Sequence, residues 1–333
     1  MTSRLRILVG LGISALIIGV LLWEIDPGRV AAVLAQSRWQ LLPLALVPFG
    51  VDLTLRTIRW HVLLAREPRP GYRMTFAYLV IGYLANNILP ARLGELVRAH
   101  LLGTREGVGR SRALGSIAME RGLDVVAAAL LGAVACTIVA VHGGFVAAFS
   151  LIALAAGTVI ALVVVVPHDT TRRIADRVVA RMPAGPFASA AGVLRRFLDA
   201  LLDAAAPGRV LAGLGLSLAA WTASSGVTAV AAGAVGVSLP PMAIVAAVVS
   251  ANLGAALPSA PAGIGPYEFG MVVIATALGV DPAAAFALGI VSHVCTVVPV
   301  SILGGYELGR VHWGFGSLRQ LARAVPSGEA DPA

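Results

Sequence analysis

Eight apolar segments, near residues 5–23, 39–55, 74–90, 122–141, 145–166, 210–236, 242–258 and 283–306, with a shorter one at 269–280, occupy most of this 333-residue chain. About 20 helical residues cross a hydrocarbon core, so several of these stretches are long enough to span a membrane. Those at 74–90 and 242–258 are shorter, and each ends at a proline. Only 13% of the residues are charged, against roughly a quarter in an ordinary soluble domain. The fold class expected is an all-α polytopic membrane protein.

Residues 7–22 carry no charge and follow Arg4 and Arg6, and no small-residue cleavage site precedes Glu24 and Asp26. A retained first transmembrane helix is therefore expected rather than a cleaved signal. All 25 basic residues are arginine, and the net charge is +8. In a membrane chain such an excess fixes orientation and meets anionic headgroups, so nucleic acid is not an expected partner. The N-terminus, 56–73, 92–121, 169–209 and the tail from Arg310 hold 23 of the arginines. The positive-inside rule assigns these blocks, and both termini, to the cytoplasmic side of the plasma membrane. The connections His142–Gly144, Gly236–Pro241 and Gly279–Pro282 contain none.

Since 56–73 and 92–121 fall on one side, residues 74–108 should enter and return as a hairpin with its tip near Pro90. By the same parity 242–279 dips in from the opposite face. The expectation is about six crossings plus two inverted re-entrant or broken helical hairpins; eight simple crossings are the alternative. A single integral-membrane domain over 1–325 would consist of two pseudo-repeated halves, about 1–166 and 167–325, ahead of a disordered tail over 326–333. Residues 188–205 have the pattern of an amphipathic helix on the inner membrane surface.

The broken segments are the most informative part. One reads Asn86-Asn87-Ile88-Leu89-Pro90-Ala91-Arg92-Leu93-Gly94-Glu95; the other, Asn252 to Glu268, reads NLGAALPSAPAGIGPYE. Both run asparagine, proline, glycine, glutamate. Paired Pro/Gly interruptions in two halves point to a binding site near the midplane of a transporter-like fold. Pro90, Gly94, Pro258, Pro261, Gly263, Gly265 and Pro266 are the expected breaks. Non-helical backbone at membrane depth must be buried in protein or line a polar cavity, so the two tips should face each other. Gly263-Ile264-Gly265 looks like part of a nucleotide fingerprint, but no strand precedes it and no Gly-Lys-Ser/Thr follows.

Charge inside a membrane is expensive and calls for an explanation at each position. Arg92, Glu95 and Arg98 occupy the first turns after Pro90, where orphan N–H groups also favour an anion. Arg92 suits a fork onto a headgroup phosphate; an Arg92–Glu95 salt bridge pinning the hairpin is the plainer possibility. Asn86 and Asn87 can cap freed backbone or bind a headgroup hydroxyl. Asp124, on one helical face with Glu120, calls for a partner such as Arg92 or Arg98. Asp52 lies four residues before Arg56, and Arg56, Arg59 and Trp60 have the look of an interfacial anchor, as does Arg121. Glu268 can pair with an arginine, carry a proton, bind a cationic headgroup or simply cap a helix. His293 has no second histidine at ligand spacing and reads as a hydrogen-bonded core residue. Cys136 and Cys295 sit in separate apolar runs as packing residues. No hydrolase, ATPase or metal motif is present, so no cofactor and no metal are expected.

Taken in order, Asp52, Arg56, Arg59-Trp60, Asn87-x-x-Pro90-x-Arg92-x-Gly94-Glu95-x-x-Arg98, Glu120-Arg121-x-x-Asp124, and Pro258 with Gly263-x-Gly265-x-x-Glu268 resemble the flippase-like membrane family, the transmembrane region of lysylphosphatidylglycerol synthases. The resemblance covers nearly the whole chain. It implies movement of a phospholipid or lipid-linked headgroup between leaflets, with Arg92, Glu95, Asp124 and Glu268 as site candidates. Bifunctional members carry a soluble aminoacyl-transferase domain, for which 333 residues leave no room, so lysyl-lipid synthesis is not expected. Two other function classes fit the residues: a non-transporting partner that presents lipid to a separate glycosyltransferase or synthase, and an integral-membrane lipid transferase with Glu95 or Glu268 as base.

Overall fold

The computed structural model describes residues 3–64, 70–89, 93–140, 144–165, 173, 177, 195, 197–199, 201–257 and 259–313. Pro90, Arg92 and Pro258, most of 188–205 and the tail lie outside the described residues. Among those described, every regular element is helical. Helix α1 (Ser3–Glu24) turns by 85° into α2 (Pro27–Ala35). A 3-10 turn over Trp39–Ala45 leads into α3 (Leu46–Leu63), followed by α4 (Tyr72–Ile88), α5 (Gly94–Arg105), α6 (Arg110–Ile138) and α7 (Phe145–Val165). The second half holds α8 (Pro207–Val235), α9 (Pro241–Ala255), α10 (Pro266–Ala277) and α11 (Pro282–Arg310).

Local chemistry fixes several of these boundaries. Prolines stand at the first turn of α2, α8, α9, α10 and α11, where the missing N–H has no helical partner to lose. Asp26 caps α2 by accepting from the Gly28 N–H at 2.8 Å, and Asp281 caps α11 by accepting from Ala283 and Ala284. The Asp26-Pro27 pair is the signal for α2, an element the apolar pattern alone does not mark.

The continuous helix over Trp39–Leu63, α6, α8 and α11 are each long and apolar enough to cross a membrane, and the bent α1–α2 pair is so only when its two parts are taken together. Helix α7 is uncharged over its 21 residues, about 31 Å of rise. Two spans reach further than hydropathy indicates: α3 continues past residue 55 through Arg56 and Arg59, and α6 begins at Arg110, ahead of Glu120 and Arg121. Those charges lie inside helices because they pair with one another, as described below.

Helices α4 and α5 form one antiparallel hairpin: Gly94 lies against Gly82 and Asn86, and Tyr78 donates to Glu106 at 2.7 Å. Helices α9 and α10 form the other, with Gly254 against Pro266 and Gly270 against Ser250 and Ala251. Glycine permits both approaches, because a Cβ would collide with facing backbone. Helix α11 gives their relative direction. Near its start, Ala283 to Ala287 pack with Val272 and Ala275 at the base of the second hairpin. Further along, Gly289 meets Glu268 and His293 meets Ala262. Past Pro299, Ser301 accepts from Asn87 at 3.0 Å, Gly304 meets Val80 and Leu84, and Leu308 packs with Tyr78 and Leu79 at the base of the first hairpin. The hairpins therefore run in from opposite ends of α11, and their tips converge on its middle, as the arginine parity predicts. Pro299 sits between the two tip contacts and removes the N–H that would bond the Cys295 carbonyl.

Gly304 and Gly305 provide a test of this packing. A Cβ at Gly304 would lie 2.6 Å from Leu84 Cβ and from the Val80 carbonyl oxygen, whereas nothing lies within 4 Å of one at Gly305. Gly304→Ala should destabilise by about 1–3 kcal/mol through overpacking. Gly305→Ala should stabilise by up to about 1 kcal/mol through helix propensity. Thermal unfolding in detergent checks both.

Candidate functional site

A cavity of about 340 Å³ lies between the hairpin tips. Asn86, Asn87 and Glu95 line it from the first hairpin, and Asn252, Ala256, Ala262 and Tyr267 from the second. Asp52 and Arg56 of α3, Arg121 and Asp124 of α6, Trp221 of α8, and His293 and Thr296 of α11 complete its polar wall.

The charges around it form a connected network. Arg59 lies fully buried behind the wall; its guanidinium forks onto Asp124, with Nη2 at 3.0 Å from Oδ2, and also donates to Glu120 at 3.0 Å and to Ser217 at 2.7 Å. Glu120, equally buried, takes a second guanidinium from Arg98 at 2.7 Å. Arg98 in turn lies 3.8 Å over the Trp60 ring, whose Nε1–H donates to Ser116. Nearer the cavity, Arg56 donates from Nε to both oxygens of Asp52 at 2.8 and 3.0 Å and reaches Asp124 at 3.5 Å. Arg121 spans Glu95 at 3.4 Å and Asp124 at 3.7 Å. Among the described residues four carboxylates thus face four guanidiniums. Arginine suits this arrangement, since its planar fork can satisfy two oxygens on one side while its other N–H groups bridge to a second acid.

This arrangement alters several expectations. Arg59 and Trp60 are wholly inaccessible rather than interfacial anchors, because Glu120, Asp124 and Arg98 draw them inward. Asp124 finds its partner in Arg59, not in Arg98, which is committed to Glu120. Glu95 engages Arg121 and receives Asn86 Nδ2 at 3.4 Å. The Asn86 amide oxygen accepts from the Gly94 N–H at 2.8 Å, so this residue caps α5 and lines the cavity at once. Arg98, Arg59 and Glu120 stand behind the lining. Tyr83, Trp221, Tyr267 and Ser217 carry no charge and lie within apolar runs, so charge-cost reasoning passes over them; the spacing of Tyr83, one turn before Asn86 and Asn87, is the signal that could have marked it.

The second tip is irregular but satisfied. Ala262, Gly263 and Gly265 have φ of 63°, 83° and 96°, and the two glycines tolerate this left-handed backbone where a β-carbon would be strained. Ser14 of α1 donates to the Ile264 carbonyl at 2.7 Å and accepts from the Ala260 N–H at 2.8 Å. Glu268 Oε2 accepts from the Gly265 N–H at 2.7 Å, Glu268 Oε1 lies 2.6 Å from His293 Nδ1, and His293 Nε2 lies 3.2 Å from the Ala262 carbonyl oxygen. Exposed backbone at the break is thus answered by three side chains, as a membrane interior requires.

Removing Arg59 should take the fully buried guanidinium from two carboxylates at once, and Arg59→Ala is expected to destabilise by about 3–5 kcal/mol. Arg121 has a side chain 39% exposed to the cavity, so Arg121→Ala should cost under about 1 kcal/mol. Denaturant unfolding in detergent, run on both variants, checks the contrast.

The family model described as the lysylphosphatidylglycerol synthase TM region matches residues 7–304. The chain is also 31% identical over 340 aligned residues to the protein named glycosyltransferase AglD of Haloferax volcanii. That alignment covers 91% of this chain and 54% of the relative, so the chain spans about half of that protein's length. An all-helical membrane fold with two broken hairpins and a family match over nine-tenths of its residues means that this protein belongs to the lysylphosphatidylglycerol synthase transmembrane-region family.

Proposed function

We propose that the chain is a lipid translocase that passes a phosphate-bearing headgroup through the cavity between the hairpin tips while the acyl chains stay in lipid. One observation carries this reading: the cavity wall holds Tyr83 Oη, Trp221 Nε1 and Arg121 Nε, three buried polar atoms with no hydrogen-bond partner among the described residues. All three are donors. A buried donor without an acceptor is costly, and a ligand rich in acceptor oxygens, such as a phosphate, relieves all three. The volume suits a headgroup, and the inverted hairpins support alternating access by rocking of two halves, about 1–166 and 167–325. Arg92, Glu95, Asn86, Asn87 and Asp124 are proposed headgroup contacts, Arg92 on sequence grounds alone. Arg98, Arg59 and Glu120 would hold those contacts in place. The arginine blocks support a plasma-membrane orientation with both termini in the cytoplasm.

The name of the archaeal relative favours one further reading, in which the chain presents lipid to a glycosyltransferase without moving it. Reconstitution separates the two. In liposomes containing acyl-labelled phosphatidylglycerol, the protein should speed dithionite bleaching of inner-leaflet label above that of empty vesicles. Tyr83→Phe removes one donor and keeps the ring, and Trp221→Phe removes another together with part of the indole, so each should slow translocation by about tenfold, the equivalent of roughly 1.4 kcal/mol. Melting temperature should stay level or rise in Tyr83→Phe, because an unsatisfied group is gone. Bleaching equal to that of empty vesicles, with co-purified lipid lost in the same variants, would favour presentation.

A further inference from the structure

We infer that Glu268 and His293 form a proton-binding site, through which the transport cycle takes up its coupling ion. The coupling role rests on the translocase reading, whereas the protonation does not.

Glu268 differs from the other buried acids in the group it faces. Asp52, Glu95, Glu120, Asp124 and Glu307 each face a guanidinium, which keeps its own proton throughout the physiological range. Glu268 faces an imidazole. It is the one among these buried or half-buried acids whose partner can itself gain and lose a proton near neutral pH.

The geometry then counts the protons. His293 Nδ1 meets a carboxylate oxygen at 2.6 Å and Nε2 meets the Ala262 carbonyl oxygen at 3.2 Å. Both neighbours accept. A neutral imidazole donates from one nitrogen only, so beside an ionised Glu268 it would turn a lone pair against an acceptor. Both contacts are satisfied only when the pair holds one more proton, on His293 as imidazolium or on Glu268 as a carboxylic acid. The Tyr267 ring stacks on His293 with centroids 4.2 Å apart. With that proton the pair is neutral overall. Without it a single negative charge remains in a site where both side chains are over nine-tenths buried, a state that requires water.

Among the described residues no other charge stands in for the proton. The Tyr267 hydroxyl faces Ser292 and Cys295 of α11 and Thr228 of α8. Helix α1 offers Ser14, and α9 has no ionisable side chain. Helix α4, which packs on the Pro261–Gly263 turn, carries only the Tyr83 phenol as a titratable group in its last two turns.

Proton loss has a mechanical effect at one place. The His293 contact is what holds the Ala262 carbonyl, and Ala262 sits at φ 63° in a cavity-lining turn. A non-glycine residue in that conformation persists only while its surroundings enforce it. Deprotonation drops one of the two His293 contacts, loosens the turn and admits water between the tips. Reprotonation closes it.

Site-directed labelling tests this without assuming transport. In a Cys136→Ala, Cys295→Ala background, Ala262→Cys on the turn and Ser224→Cys, on α8 in the same cavity wall, would each be reacted with a small polar maleimide. The ratio of their rates cancels intrinsic thiol ionisation. Between about pH 5 and about pH 9, spanning the ordinary histidine range, the ratio should rise by about tenfold. Glu268→Gln, and separately His293→Asn, should abolish that rise. A ratio that ignores pH in the unaltered pair, or an undiminished rise in both variants, overturns the proton site. In liposomes an imposed pH gradient should bias dithionite-detected lipid movement. Movement indifferent to the gradient overturns coupling but leaves the translocase reading standing. A pH-dependent ratio with no lipid movement keeps the proton site and removes the translocase.

Discussion

The membrane interior of this protein depends on the fork that Arg59 places on Asp124. A lone guanidinium or carboxylate at that depth would be costly, and removing one partner of a buried pair leaves the other exposed to that cost. Once Arg59, Asp124 and Glu120 are joined, further partners are recruited: Ser217 by Arg59, Arg98 by Glu120, Arg56 and Arg121 by Asp124. Residues from α3, α5, α6 and α8 are thereby fixed to one another, and the first hairpin is held against them through Arg98 and Glu95. Lipid supplies little hydrophobic drive between helices, so a polar clamp of this kind, with close glycine contacts, defines which faces meet.

The two tips meet this demand differently. In the first, side-chain amides serve the break: Asn86 caps α5 and Asn87 ties the hairpin to Ser301 of α11. In the second, three positive-φ residues make a turn whose backbone is answered by Ser14, Glu268 and His293. The first break is held by side-chain amides, the second by a hydroxyl, a carboxylate and an imidazole.

Much of the architecture is legible in the chain because arginine placement and the Pro/Gly breaks act locally. Both hairpins, their opposed entry and the helices of the second half follow from them. The pairing of the charges does not. Arg59 reads as an anchor because hydropathy ends its segment at residue 55, and only the arrival of Glu120 and Asp124, more than 60 positions later, turns it inward. His293 is equally mute in sequence, since its partner lies 25 residues away across a break. The neutral donors of the cavity, Tyr83 and Trp221, are hidden for another reason: an aromatic residue in an apolar run has the same appearance whether it faces lipid or a cavity.

The balance of the network carries an electrical consequence. Four acids and four arginines surround the cavity among the described residues, and the protonated Glu268–His293 pair adds no net charge. A unit charge carried through 100 mV involves about 2.3 kcal/mol of work. Paired charges that cancel do almost none of that work when they shift together. The membrane voltage therefore acts little on these four pairs and more on any charge that enters or leaves beside them.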